Sequence, residues 1–268
     1  MKFLPLLFSS CALLSGMLTA TQKAGDPIHM SRQGQTLDEG AVIRMDSTRK
    51  EIFLVFTGHE FADGGKVIRA CLRKQNVLAS FFFTGDFYRN PRFASLIAGL
   101  VADGHYLGGH SDRHLLYAPW TNRDSLLVDS ATFRKDLDAN YRAMRKFGIT
   151  RARAPWFLPP FEWHNRAIAS WCRAARLSLV NFTPGTRSNA DYTVPGVDAN
   201  YVSSDEIVRS ILRREDAGGL NGFLLLMHIG TDPRRTDKSS DRLDGLLNEL
   251  KRRGYTFRRL PAGKMNLR

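Results

Sequence analysis

The sequence predicts an α/β fold in which a parallel sheet closes into a barrel surrounded by helices. Apolar, β-prone segments alternate along the chain with helix-like segments of roughly 10–15 residues, the pattern of successive strand–helix units. Each β-prone segment is apolar throughout, which is typical of strands that are covered on both faces. The number of these repeats favours a closed barrel over an open sheet.

The predicted elements start at residue 51 and alternate regularly. Strands are expected at 51–56 (EIFLVF), 78–85 (LASFFFTG), the start of 105–116 (HYLGGHSDRHLL), 177–183 (LSLVNFT), 222–228 (GFLLLMH) and 255–260 (YTFRRL). Helices are expected at 64–76, 90–104, 133–148, 165–177, 203–216 and 239–254. Asn90, Pro91 and Gly104 bound the second of these helices, and Ser203 or Ser204 caps the fifth.

The N-terminal region predicts export. Residues 1–20 place Lys2 before an apolar run that ends in small residues at Ala20, the layout of a secretory signal peptide. We therefore expect a periplasmic or extracellular protein, with residues 21–47 as a linker and residues 48–268 as one domain. The alternative is a lipoprotein anchored at Cys11, which follows two small residues. No later segment is apolar over the about 18 residues that a membrane span requires.

The composition narrows the expected partners. The formal net charge is +13, and the basic residues are spread along the chain. Anionic glycans, cell-wall polymers or membrane head groups are expected partners, whereas nucleic acid is not, because no nucleic-acid recognition motif is present. Beyond the leader, Cys71 and Cys172 stand apart in helix-like segments, which favours buried free thiols over a disulfide. The oligomeric state is not predicted.

Histidines follow three of the predicted strands. The strand ends carry TGHE at 57–60, GGHSDRH at 108–114 and LMH at 226–228. Because functional groups in such folds gather at the carboxyl ends of the strands, these histidines are expected on one face. His110 and His114 are four residues apart, so a helical turn there would direct both imidazoles at one ion.

Residues 79–116 resemble the central block of the NodB-type polysaccharide deacetylases. In that family a phenylalanine-rich strand and a helix precede a GHxxGxHSxxH segment, which Gly104-His105, Gly108, His110-Ser111 and His114 match. Residues 222–260 resemble the family's last strand, histidine-bearing loop and closing helix and strand. The resemblance implies a deformed (β/α) barrel, a divalent metal on His110 and His114, and His228 as general acid toward the leaving amine.

The first family motif is altered in this chain. The family has Thr-Phe-Asp-Asp, in which the first Asp is the general base and the second is a metal ligand, whereas this chain has Thr57-Gly58-His59-Glu60. Aligning the threonines places His59 at the base position and Glu60 at the ligand position. In the alternative, His59 is a third histidine ligand and Glu60 or Asp63 accepts the proton.

The third family motif, Arg-x-Pro-aromatic, aligns in two ways. Arg153-Ala154-Pro155-Trp156 fits its letters, whereas the run from Leu158 to Asn165 fits its approach to the next helix. In the second alignment leucine replaces the arginine that steadies the missing catalytic aspartate. Aromatic residues of this region are candidates for stacking on a sugar, namely Trp156, Phe161 and Trp163.

Together these features predict a metal-dependent hydrolase that removes acetyl groups from an acetylated carbohydrate. N-acetylhexosamine units are the expected substrate, and a carbohydrate carrying O-acetyl esters is the open alternative. Zinc is the expected ion, and nickel or cobalt would also suit two histidines and a carboxylate. The alternative is a non-catalytic glycan-binding protein that keeps the fold, because the Asp-Asp pair is absent.

Overall fold

The structure is a computed structural model in which residues 34–263 are described. The predicted signal peptide, with Cys11, and most of the predicted linker lie outside the described residues. Within residues 34–263, no helix has the length and apolar character needed to cross a membrane. Cys71 and Cys172 are buried free thiols, as predicted.

One sheet organises the described part of the chain. Its nine strands are β1 (Thr36–Asp38), β2 (Ala41–Arg44), β3 (Glu51–Gly58), β4 (Ser80–Phe83), β5 (Tyr106–Gly109), β6 (Trp156–Phe157), β7 (Ser178–Leu179), β8 (Phe223–His228) and β9 (Thr256–Arg258). The order along the sheet is β1-β2-β8-β3-β4-β5-β6-β7, and β9 pairs with β3. All neighbours from β8 to β7 run parallel, whereas β1 and β2 pair antiparallel.

The sheet curls until its ends meet. A parallel bridge joins Val42, in β2, to Val180, which directly follows β7. The amide of Asn181 adds a hydrogen bond of 2.9 Å to the carbonyl of Val42. The predicted α/β barrel is therefore confirmed, and it is deformed because short, weakly paired strands close it.

Seven α-helices flank the sheet within residues 34–263. They are α1 (Gly65–Lys74), α2 (Gly85–Arg89), α3 (Ala94–Ala102), α4 (Ser130–Met144), α5 (Arg166–Ala174), α6 (Ser204–Gly218) and α7 (Leu243–Arg252). The side chain of Ser203 caps α6, as one of the two predicted options had it. Asn90 caps a short 3₁₀ turn that leads into α3, so the predicted helix start is also confirmed.

Two segments depart from the sequence-based expectation. Residues 36–44, which the linker was expected to include, form β1 and β2 and extend the sheet beyond β8. The strand β6 was not expected. The strands β1, β2 and β6 are too short to show a hydrophobic pattern in the sequence. They form because the edge of a neighbouring strand offers its backbone groups for pairing.

The central strands align their carboxyl ends. Thr57 pairs with His228, Gly58 with Phe83, and Phe83 with Gly109. The next residue along each of β3, β4 and β5 therefore emerges at the same edge. The core beneath this edge contains a run of wholly buried phenylalanines, which includes Phe56, Phe81, Phe82 and Phe83.

A buried asparagine from α4 fixes this edge. The Asn140 side chain accepts a hydrogen bond of 3.0 Å from the amide of His110 and donates one of 3.2 Å to the carbonyl of Phe83. A side chain at Gly109 would place its Cβ 2.5 Å from Oδ1 of Asn140, so glycine is required for the approach.

We expect Asn140→Ala to lower the free energy of unfolding by about 1–3 kcal/mol, because it leaves buried backbone groups without a partner. Chemical denaturation followed by circular dichroism measures this change. Asn248→Ala, on the exposed face of α7, is the control and is expected to leave stability within about 0.5 kcal/mol. Equal stability of the two variants would contradict the role of Asn140.

Candidate active site

A cavity of about 430 Å³ opens at the carboxyl edge of the sheet. Its lining combines imidazoles, carboxyl groups and aromatic rings from several strand ends and loops. These residues include His59, Glu60, His110, His114, Trp120, Phe161, Glu162, Tyr192, Asp198, His228 and Arg234. The predicted convergence of histidines from three strand ends is thus present in the structure.

His110 is buried directly after β5. Its Nδ1 lies 2.9 Å from the carbonyl oxygen of Leu158 and must donate, since a carbonyl only accepts. The proton is therefore on Nδ1, and Nε2 keeps its lone pair. Burial lowers the pKa of His110 to about 3, so the imidazole is neutral and suited to bind a metal.

His114 lies between two other imidazoles. Its ring stacks on that of His59, with centroids 4.6 Å apart and planes 8° apart, and meets His110 edge to face at 5.1 Å. Burial, followed by the neighbouring histidines, lowers the pKa of His114 to about 2. His110 and His114 are therefore neutral nitrogen donors at physiological pH, and the ring of His59 lies against that of His114.

The stretch from His110 to His114 is not helical. The helical turn that would direct both imidazoles at one ion is therefore absent. Ser111 and His114 both have left-handed backbone angles, with φ of 68° and 57°. Asp136 of α4 accepts hydrogen bonds from the amides of Asp112 and Arg113, at 2.8 and 3.1 Å. A tight turn of this loop, rather than helical spacing, brings the two imidazoles into contact.

His228 forms a buried pair with Asp191. Nδ1 of His228 lies 2.6 Å from Oδ1 of Asp191, whose other oxygen accepts from the amide of His228 at 2.8 Å. Burial lowers the pKa of His228, but the charges of Asp191 and Glu162 outweigh burial and raise it above 6.5. The pair favours an imidazolium whose Nε2 is the nitrogen left to act as a proton donor.

The two carboxylates expected from the sequence are placed differently relative to this cavity. Asp63 does not line the cavity, because its carboxylate is held 2.7 Å from Nζ of Lys238 and accepts from the amide of Thr231. Glu60 lines the cavity mouth, where its side chain is 67% exposed and lies 3.8 Å from Nε2 of His59. His59, by contrast, stacks directly on the ring of His114.

The aromatic candidates separate in the same way. Trp156 is a core residue of β6, and its Nε1 donates to the carbonyl of Pro261, so the expected sugar platform does not include it. Phe161 lines the cavity and contacts the ring of His114 at 4.3 Å. Trp163 supports Trp120, whose indole lies 5.5 Å away and is 59% exposed at the cavity mouth.

The two alignments of the third motif involve residues that lie in different places relative to the cavity. Arg153 is exposed and does not line the cavity. The run from Leu158 follows β6, lines the cavity with Phe161 and ends at Asn165, whose side chain caps α5. Leu158, the residue that the second alignment puts at the arginine position, is buried, and its carbonyl orients His110.

Sequence reasoning missed two acidic residues. Asp191 lies in a segment that looks like a solvated turn, and only the fold shows that it reaches His228. Glu162 follows Phe161 in the third motif and lines the cavity. Burial raises the pKa of Glu162 to about 7. The sequence offered one signal for Glu162, namely a carboxyl group directly after the aromatic residue of the third motif.

The residues fit a divalent metal by donor type, although they do not form a finished site. Among residues 34–263, no three His, Cys, Asp or Glu side chains are arranged as a group that could hold an ion. An ion lies near the plane of each imidazole that binds it, so the stacked rings of His59 and His114 cannot both bind until one turns. The neutral state of His110 and His114 nonetheless suits metal ligation.

The fold and cavity define a barrel-type α/β protein with a histidine-lined site at the carboxyl edge of its sheet. The family model described as polysaccharide deacetylase matches residues 46–180, which is just over half of the chain. The chain therefore belongs to the polysaccharide deacetylase family, and the resemblance seen in its motifs is confirmed.

Individual relatives are similar at low identity. A peptidoglycan-N-acetylglucosamine deacetylase of Bacillus cereus is 23% identical over 192 residues, which cover 71% of this chain and 60% of that protein. A family 4 carbohydrate esterase pseudoenzyme from Bacillus anthracis has a TM-score of 0.64 at 17% identity, covering 84% of this chain and 68% of its own. A family 4 acetyl xylan esterase from Clostridium thermocellum, solved with a cobalt ion, has a TM-score of 0.59 at 20% identity, covering 78% and 87%.

We expect Asp191→Asn to lower the pKa of His228, because removal of the negative charge leaves burial to disfavour the imidazolium. An NMR titration of the histidine ring protons measures this pKa. Asp198→Asn removes a second carboxylate of the cavity and is the matched control, expected to leave His228 nearly unchanged. An unshifted pKa in Asp191→Asn would contradict the proposed coupling.

Proposed function

We propose that the protein is a metal-dependent hydrolase that removes acetyl groups from N-acetylhexosamine units of an oligo- or polysaccharide. The observation that carries this proposal is the meeting of neutral His110 and His114 with the Asp191–His228 pair in one cavity. Family membership and the name of the Bacillus cereus relative support the substrate class.

The metal ligands that we propose are His110, His114 and His59. His59 is the third ligand in this proposal because it lies against His114, whereas Glu60 is mostly exposed. The ring of His59 must turn out of its stack on His114 before both rings can bind one ion. Three histidines and an open position are a common zinc arrangement, and nickel or cobalt would also accept them. When bound, the ion supplies polarisation of the acetyl carbonyl and acidification of water.

The chain's own residues supply orientation and a proton. His228, held as an imidazolium by Asp191, donates its Nε2 proton to the leaving nitrogen. Trp120 and Phe161 present exposed aromatic surface beside the histidines, which suits the apolar face of a sugar ring. The predicted export would bring this site to cell-wall glycans, and that localisation stays a prediction.

We expect metal-stripped protein to release acetate from chitooligosaccharide or peptidoglycan fragments only after zinc, nickel or cobalt is restored. His110→Ala should abolish the release and weaken zinc binding by at least about 100-fold, because a ligand is lost. Isothermal titration calorimetry and an acetate assay measure the two effects.

The matched control is His105→Gln, since His105 lies outside the cavity and accepts a hydrogen bond from the amide of Ala79. Its metal affinity should equal that of the wild type. Equal metal affinity of His110→Ala and wild type would contradict the assigned site.

Trp120→Ala is expected to raise KM for a glycan about 2- to 10-fold with kcat nearly unchanged, because one stacking contact is lost. Leu127→Ala removes an exposed side chain outside the cavity and serves as control. Steady-state kinetics on one oligosaccharide decide the result, and an unchanged KM in Trp120→Ala would remove this platform from the proposal.

A glycan-binding protein without turnover is the second candidate. The altered first motif, the unfinished metal group and the structural likeness to a pseudoenzyme favour it. Tight binding of a glycan without acetate release under any metal would select this candidate over the hydrolase.

A further inference from the structure

The hydrolase proposed above needs a group that takes a proton from the attacking water, and the altered first motif has no Asp-Asp pair to provide one. Asp63 is bound to Lys238 outside the cavity, and His59 is taken up by its contact with His114. The remaining carboxyl groups must therefore be compared by position. Glu162 differs from the others in partners and in backbone conformation.

The carboxyl group of Glu162 has no partner to neutralise it. It lines the cavity, and among residues 34–263 no side chain or amide hydrogen-bonds to it or forms an ion pair with it. By contrast, Asp198 accepts from the amide of Val194 at 2.7 Å and Asp232 is paired with Arg234. A partly buried carboxyl without a partner costs stability, so its presence at this position points to a functional role in the cavity.

The backbone holds Glu162 at a further cost. Phe161 and Glu162 are consecutive non-glycine residues with left-handed φ of 59° and 53°. The Asn181 side chain fixes this turn by donating a hydrogen bond of 2.7 Å to the carbonyl of Glu162. Such conformations cost of order 1–3 kcal/mol each and cluster at functional sites.

We propose that Glu162 is the proton acceptor for the attacking water, a catalytic role that moves from the first motif to the third in this chain. The assignment rests on the proposed hydrolase function. Glu162 and His228, the proposed proton donor, line the same cavity.

The proton balance closes with these two residues. The water oxygen bonds to the acetyl carbon, and one water proton moves to the Glu162 carboxylate. The carbon–nitrogen bond then breaks, and the nitrogen keeps the electron pair and takes a proton from Nε2 of His228. Acetic acid and the free amine leave, after which Glu162 loses its proton to solvent and His228 regains one.

The pH dependence follows from the groups around Glu162. Burial raises its pKa to about 7, His228 lowers it and Asp191 raises it. The other titratable or charged groups that line the cavity are His59, Glu60, His110, His114, Tyr192, Asp198, Asp232 and Arg234. Because the acceptor must be ionised, turnover should rise with pH through about 7 and fall once His228 loses its proton.

The test compares Glu162→Gln, Glu162→Gly and Asp216→Asn in the full protein with zinc. Gln keeps the shape of Glu, and Gly adopts the left-handed backbone without strain, so both variants are expected to fold. In both variants kcat should fall about 100-fold or more, with KM for chitooligosaccharide and zinc affinity by calorimetry unchanged. Asp216→Asn, at an exposed position of α6 outside the cavity, should keep wild-type kcat.

Two further readouts identify the missing function as a base. The rising limb of the pH profile should disappear from the residual activity of Glu162→Gln. Sodium formate, a small carboxylate, should restore turnover to Glu162→Gly, which leaves space for it, and not to Glu162→Gln.

The outcomes separate the two proposals. Wild-type acetate release that persists within about 3-fold in both Glu162 variants overturns the assignment of Glu162 alone. Loss of zinc affinity in Glu162→Gln would overturn it in favour of a ligand role. A wild type that releases no acetate from any glycan with any of the metals overturns the hydrolase and the acceptor together.

Discussion

The parallel register of the central strands is the constraint on which the site depends. Thr57, Phe83 and Gly109 are in register with residues of the adjacent strands. Three strands therefore end at the same edge of the sheet. His110 then needs only a hydrogen bond to Leu158 for its orientation. Asn140 of α4 joins two of these strand ends by hydrogen bonds. The position of the His110 imidazole therefore depends on how α4 packs.

Much of this arrangement could be predicted from the sequence, because it depends on local patterns. Apolar strands, capped helices and histidines at strand ends are encoded over a few residues, and the structure contains them. The approach of His110 to His114 was also expected, although a left-handed turn at Ser111 produces it instead of a helix. Short strands such as β1, β2 and β6 carry no such pattern and depend on the neighbours that complete them.

The acidic part of the site could not be predicted in the same way. Asp191 looks like a turn residue, and its function depends on a contact with His228, 37 positions away. Asp63 was a reasonable candidate by spacing, but Lys238 occupies its carboxylate. Trp156 fits an aromatic motif and yet fills the core. Each outcome depends on long-range packing, which one sequence without an alignment does not reveal.

The left-handed turn at Phe161 and Glu162 has a consequence for how this lineage can change. Selection for a more stable chain alone would favour glycine at position 162, because glycine adopts this conformation without strain. The replacement Glu162→Gly would thus give a more stable protein that lacks this carboxyl group and keeps the cavity. Under the proposed role of Glu162 as proton acceptor, the same replacement would remove turnover while stabilising the folded chain.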